Sequence, residues 1–159
     1  MIEGVKVKNL TVHKDKPDLD QPEVEPGSFL EILRSSDGLM EKFAQCNFGI
    51  AYKGTIKAFH WHKKQDDLWF IASGKATVVL YDQRLDSKTR GRTDIIYAGA
   101  DDYKLIVIPK GVVHGYKVLS DDPCLLFYLV TEEYDRQNPD EERIDPFDKK
   151  INFDWNGLN

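Results

Sequence analysis

Three of the four histidines in this 159-residue chain fall inside two short motifs. The first runs Gly54, five residues, His60, one residue, His62, four residues, Asp67, six residues, Gly74. The second is Pro109-Lys110-Gly111-Val112-Val113-His114. An imidazole titrates near ~6.5 and both takes and gives protons at neutral pH. Neutral imidazole is also a good ligand for borderline divalent metals. The set therefore points to two chemistries. His60 suits general-base work, and His60, His62, Asp67 and His114 together make a four-ligand metal set. The plainer alternative is a polar lining that holds no metal.

These side chains converge only if strands carry them. Along a strand successive side chains alternate faces, so His60 and His62 point one way and Phe59 and Trp61 the other. Pro109 suits the second position of a type I turn and Gly111 the fourth, which aims the following strand so that it brings His114 to the mouth of a barrel. Apolar runs recur at short intervals, such as Ala76–Tyr81, Leu105–Ile108 and Leu125–Val130. Turn-forming groups separate them: Ser73-Gly74, Asp101-Asp102, Pro109-Lys110-Gly111 and Asp121-Asp122-Pro123. No segment holds a 3.6-residue apolar period, so the fold class is all-β, a sandwich or barrel with little helix. A first strand is expected in residues 1–12 and a loop over the proline-bearing residues 13–27. A strand is expected at Phe29–Leu33, and a loop or short helix at residues 138–148. Residues 1–159 read as one domain, with no internal repeat.

Composition narrows the function classes. A net charge of −5 leaves no basic stripe for nucleic acid or an anionic membrane, although a local cationic pocket suffices for one pyrophosphate. No apolar run reaches the ~18 residues of a membrane span, and the first residues lack the apolar core of a signal peptide. Cys46 and Cys124 lie in apolar, strand-like stretches and read as buried free thiols, which suits a reducing cytoplasm.

The histidine spacing resembles that of the cupin motifs, which implies a jelly-roll β-barrel. The usual first-motif acid is Glu where Asp67 stands here, and the second motif lacks its leading Gly and closing Asn. A narrower resemblance spans most of the chain. Phe43-Ala44-Gln45-Cys46-Asn47 followed by Gly54-Thr55-Ile56-Lys57-Ala58-Phe59-His60 is similar to the FxQxN…GxLRGLH stretch of the dTDP-4-dehydrorhamnose 3,5-epimerases. Arg84, Ser87, Thr89 and Gly91 resemble that family's DLRxxSxTxG segment. Ile108–Tyr116 is similar to IPxGFAHGF. Thr131-Glu132-Glu133-Tyr134 and Asp145-Pro146…Ile151…Trp155 look like its TTxYY and DP…I.W segments. Gly27, Phe29 and Glu31 echo GxFxE.

The resemblance implies an isomerase that inverts carbons 3 and 5 of a nucleotide-linked 4-keto-6-deoxy sugar. Both carbons adjoin the ketone, so their protons are acidified by enolate resonance. A base on one face and an acid on the other complete the reaction, and no cofactor is required. Carried over by position, His60 is the base and Tyr134 the acid. His114 lines the site, while Phe29, Glu31, Gln45 and Asn47 contact the nucleotide. Lys57 meets the diphosphate as a point charge. Strict alternation sets Lys57 and His60 on opposite faces, so that last role requires a bulge between them. The resemblance also implies a homodimer.

Four departures qualify the match. Asp67 stands where the family has its enolate-stabilising Lys, and His62 replaces a Gln. Pro26 replaces a phosphate-binding Arg, and the family's C-terminal LSxKD segment has no counterpart up to Asn159. Losing Lys and Gln while gaining Asp67 and His62 turns the lining toward that of a metal cupin. The rivals to the epimerase are therefore a metal-dependent cupin enzyme, an isomerase or dioxygenase using His60, His62, Asp67 and His114, and a non-catalytic sugar-binding cupin.

Overall fold

The computed structural model describes residues 1–157. Three of its apolar runs, Leu68–Ile71, Val78–Leu80 and Leu105–Ile108, are buried throughout. Continuous runs of this kind mark strands covered on both faces. Two five-stranded antiparallel sheets supply the faces. The first orders β1 (Lys6–Asn9), β9 (Lys104–Ile108), β6 (Asp67–Ser73), β11 (Cys124–Val130) and β4 (Gln45–Ala51). The second orders β12 (Glu142–Arg143), β5 (Ile56–Trp61), β10 (Val112–Val118), β7 (Lys75–Asp82) and β8 (Thr93–Gly99). A separate pair joins β2 (Val12–Lys14) to β3 (Ser28–Leu30). Sequence neighbours cross between sheets, as in the jelly roll expected, and the only helical turns among the described residues are two short 3₁₀ segments.

Three apolar layers follow from the alternation. The inner one lies between the sheets and includes Trp69, Ile71, Val78, Leu80, Ile106, Tyr116 and Leu126. A second lies outside the β5–β10–β7 face, where Phe59, Val79 and Val113 meet Ile151 and Trp155 from the C-terminal segment. Trp155 is fully buried, packs its ring tilted 5.2 Å from that of Phe59 and donates its indole N–H to the Pro146 carbonyl. The third covers Leu68, Phe70, Leu105 and Val107 with Ile32, Leu33, Leu39 and Met40. No helix among the described residues is long and apolar enough to cross a membrane.

The bulge required by Lys57 and His60 is present. On β10, His114 pairs with His60 and Tyr116 with Lys57, so three residues of β5 are spanned by two of β10. The extra residue turns Lys57 to the His60 side of the sheet. Gly115 sits opposite: a Cβ there would lie 2.3 Å from Ala58 Cβ and 2.9 Å from the Lys57 carbonyl. Glycine lets β10 pass the bulge.

Several local expectations need correction. The strand expected at Phe29–Leu33 is confined to Ser28–Leu30, because Ile32 and Leu33 leave the sheet to cover the third layer. The 13–27 loop begins inside β2. Residues 138–148 contain β12, whose two residues pair with Trp61 and His60. The turn after β9 is Pro109–Val112, closed by Val112 N–H to Pro109 O, with Gly111 third at φ 81°. That is the type II arrangement, which needs a left-handed third residue, rather than type I. Cys124 is buried, but Cys46 is exposed, because β4 turns Cys46, Phe48 and Ile50 outward and Gln45, Asn47 and Gly49 inward.

Candidate active site

The inner apolar layer does not fill the barrel. Trp69, Tyr116 and Leu126 belong both to that layer and to the wall of a cavity of about 750 Å³. Both sheets contribute. Lys57, His60 and His62 come from β5 and the residue after it, with Arg143 from β12. Gln45 and Asn47 come from β4, Asp67 and Trp69 from β6, and Leu126, Tyr128 and Val130 from β11. Glu133 and Tyr134 stand at the rim, both exposed.

Of the residues singled out in the sequence, the fold gathers His60, His62, Asp67 and His114 most tightly. One ligand atom from each lies within 4.8 Å of all the others. His114 is 2% exposed and sits behind the cavity wall, its ring 4.2 Å from that of His60 and 5.1 Å from Trp69. Gln45, Asn47 and Lys57 reach the cavity. Gln45 also makes two local contacts, since its amide donates to Asn47 Oδ1 and its Oε1 accepts the Tyr134 backbone N–H. Phe29 and Glu31 do not reach the cavity of their own chain. Phe29 is exposed on β3 and stacks on His13, and Glu31 faces Arg34 at the surface.

The cluster is held by a second ring of contacts. Asp67 accepts from the Gln65 amide at 2.6 Å and from the Trp69 indole N–H at 3.0 Å. His114 Nδ1 lies 2.9 Å from the Val112 carbonyl, and His62 Nδ1 bonds the Asp140 carbonyl. A carbonyl only accepts, so both Nδ1 atoms carry a proton, and both Nε2 atoms turn toward Asp67. Asp140 fixes the loop as well. Its carboxylate accepts the backbone N–H groups of Lys63, Lys64 and Gln65, which hold it below the usual carboxylate range despite partial burial. The acidic stretch 132–145 thus contains a structural pin.

Electrostatics separate the titrating groups. Burial and the facing His114 and His62 rings push the His60 pKa down to about 2, against the pull of Asp67. His60 is therefore neutral at physiological pH. Asp67 is buried, which alone would raise it, but contact with His114, His62 and Gln65 brings it down to about 2 and keeps it anionic. Tyr128 moves the other way, raised by burial and by the Asp67 and Glu141 charges, so it stays a proton donor. No sequence motif singles out Tyr128. It faces inward between Leu126 and Val130 on β11, paired with Trp69 and Asn47, on the sheet opposite His60. The Arg84–Ser87–Thr89 motif lies away from the cavity. All three side chains bond the buried Asp82 carboxylate, and Ser87 and Thr89 also hold Glu3, so the segment anchors the N-terminus.

Known proteins agree with this architecture. The sequence profile described as dTDP-4-dehydrorhamnose 3,5-epimerase matches residues 2–159. The chain is 49% identical over 98% of its length to the spore coat polysaccharide biosynthesis protein SpsL of Bacillus subtilis, covering 97% of that protein. It is 34% identical over 98% of its length to the probable low-salt glycan biosynthesis epimerase Agl13 of Haloferax volcanii, covering 95% of it. It superposes on a dTDP sugar isomerase from Desulfovibrio desulfuricans with TM-score 0.84 and 26% identity, over 99% of this chain and 94% of that one. The cupin-type jelly roll, its histidine-walled cavity and these matches together show that the chain belongs to the dTDP-4-dehydrorhamnose 3,5-epimerase family and is an isomerase of the sugar-nucleotide epimerase kind.

Proposed function

We propose that the protein inverts carbon 3, carbon 5 or both in a nucleoside-diphosphate-linked 4-keto-6-deoxy sugar, in the cytoplasm and for polysaccharide synthesis. The observation that carries this reading is the placement of a neutral imidazole, His60, and a protonated phenol, Tyr128, on opposite sheets across one cavity. Inversion beside a ketone needs that arrangement. A base removes the proton from one face of the ring, the enolate forms, and an acid returns a proton to the other face. The proton balance closes without a cofactor. Tyr128 takes the acid role that the sequence resemblance assigns to Tyr134, because Tyr134 is 58% exposed at the rim.

Lys57 and Arg143 supply positive charge on the cavity wall for the diphosphate. Gln45 and Asn47 offer amides on the facing sheet for the nucleotide end. Phe29 and Glu31, which stand outside their own cavity, suit a homodimer in which each chain lends this segment to its partner. The outward aromatic face of β4 and β11, with the Phe48 and Phe127 rings tilted against each other 4.8 Å apart, offers a surface for the second copy.

The test is proton NMR of dTDP-4-dehydro-6-deoxyglucose with the protein in deuterated water. Deuterium entering at carbon 3, carbon 5 or both, with an inverted product, supports the reading and names the carbons. No exchange at either carbon with folded protein overturns it for this substrate.

A further inference from the structure

The segment Ile108–Tyr116, similar to IPxGFAHGF, closes on Tyr where that pattern has Phe. The added oxygen stands on the cavity wall. Tyr116 is only 3% exposed and sets its ring edge-on 5.7 Å from Trp69, yet it lines the cavity. Its phenol oxygen makes no hydrogen bond with any described residue and is not sealed off from the cavity. Burial, with Cys124 and Tyr128 alongside, raises its pKa, so it keeps its proton and acts as a donor. Buried donors are almost always paired, and an unpaired one on a cavity wall marks where a bound molecule supplies the acceptor.

The neighbour of this phenol sets the charge of that acceptor. Tyr116 pairs with Lys57 across β10 and β5, at the bulge that turns Lys57 into the cavity. Paired strands lie about 4.8 Å apart, so the two donors stand close enough to meet one phosphate group. Lys57 forms no ion pair among the described residues. The carboxylates on the wall are engaged elsewhere: Asp67 among the histidines, Asp140 with the amides of residues 63–65, and Glu141 with Arg143, while Glu133 stands at the exposed rim. Cys124, on which the Lys57 charge also acts, is raised to about 11 by burial and stays an uncharged thiol. The protein presents two donors here, one of them cationic, and leaves the anion to the ligand.

We propose that the Tyr116 phenol is a substrate-binding group, which with the Lys57 ammonium holds one phosphate of the nucleoside diphosphate. The proposal rests on the sugar-nucleotide function argued above and adds a directional donor to the positive charge of the wall. Lys57 is a point charge on a flexible stem and fixes no orientation. The phenol rides on a buried ring packed against Trp69, so it fixes where the phosphate sits. That position suits the chemistry. His114 is the next inward residue on β10, roughly 7 Å along the strand, and its partner on β5 is His60. A phosphate anchored at Tyr116 therefore leaves the attached sugar ring beside His60.

The experiment compares the whole chain with its Tyr116→Phe variant, which keeps the ring and loses one oxygen. The probe is dTDP, which has both phosphates and no sugar. Calorimetry should show dTDP bound at least about tenfold more weakly by the variant, the cost of one hydrogen bond to a charged group. Phosphorus NMR should show one of the two bound phosphorus signals displaced and the other unmoved. In a Lys57→Met background the same substitution should cost less than about threefold, because a phosphate no longer drawn to the cation does not reach the phenol. A loss under tenfold in the folded variant overturns the proposal, and so does a full tenfold loss in the Lys57→Met background. A loss seen only in KM for the sugar nucleotide, with dTDP binding intact, assigns the phenol to the sugar and overturns it as well. Deuterium exchange in the sugar separates this proposal from the function it rests on. Exchange by a protein whose dTDP affinity ignores Tyr116 removes the phosphate contact and leaves the epimerase. Tyrosine-dependent dTDP binding without exchange does the reverse.

Discussion

Replacing Tyr128 by Phe removes one oxygen and nothing else, and the structure sets what should follow. The ring keeps its place between Leu126 and Val130 and its pairing with Trp69 and Asn47. Tyr128 is half-buried with its pKa raised, so at pH 7 essentially every molecule carries the phenolic proton, and the substitution removes the donor in full. Loss of a positioned general acid costs about 10²- to 10⁴-fold in rate, or ~2.7 to 5.5 kcal/mol of barrier. Tyr134→Phe, at a residue 58% exposed on the rim, should change the rate by less than about threefold. The informative assay follows isotope and configuration together in deuterated water. With His60 intact, Tyr128→Phe still removes the proton and returns deuterium to the same face, so label enters while inversion stops. Inversion within tenfold of wild type in Tyr128→Phe, or a hundredfold loss in Tyr134→Phe, would refute the assignment.

Other perturbations probe the frame. The raised Tyr128 pKa keeps the acid form present past pH 10, so kcat should show no alkaline limb below that of an ordinary tyrosine; a limb near pH 9 in a pH–rate profile contradicts it. Gly115→Ala places a Cβ 2.3 Å from Ala58 Cβ, and urea unfolding should show a loss of about 1–3 kcal/mol together with displaced β5. Trp155→Ala should cost about 3–5 kcal/mol by the same measurement, since it empties the layer behind Phe59. Asp82 is buried, which opposes ionisation, but Arg84, Ser87 and Thr89 outweigh this and depress its pKa. The unfolded carboxyl binds its proton near ~3.9, so the network's contribution is whole above that pH and drains as the pH falls below it. Stability measured from pH 6 to pH 2 should lose part of this slope in Asp82→Asn.

The strand positions were legible because alternation ties side-chain direction to residue parity. The same rule put His60 with His62 and demanded the bulge before Lys57. Tyr128 carries no motif for a related reason. Its parity within β11 is plain, but which face of β11 meets the cavity depends on pairing with β6 and β4, whereas the likeness of 131–134 to TTxYY points to Tyr134. Asp140 was hidden by its surroundings. In a polar, acidic run nothing marks one carboxylate that will accept three amides from residues 63–65, more than seventy positions away. Phe29 and Glu31 mark a limit of another kind, since their place in a motif does not say that β3 pairs with β2 away from the cavity.

Asp140 also joins two regions that a designer would treat separately. Its carboxylate grips the turn leading into β6, and its carbonyl sets the ring of His62, while the segment that carries it supplies Tyr134, Glu133, Glu141 and Arg143 to the cavity wall. The entrance and the histidine cluster are therefore parts of one lever. Substitutions that reshape the entrance for a different sugar will re-aim His62 as they do so, and their effects will combine non-additively with changes in the cluster. Recognition of the substrate and tuning of the reacting groups must change in step in this scaffold.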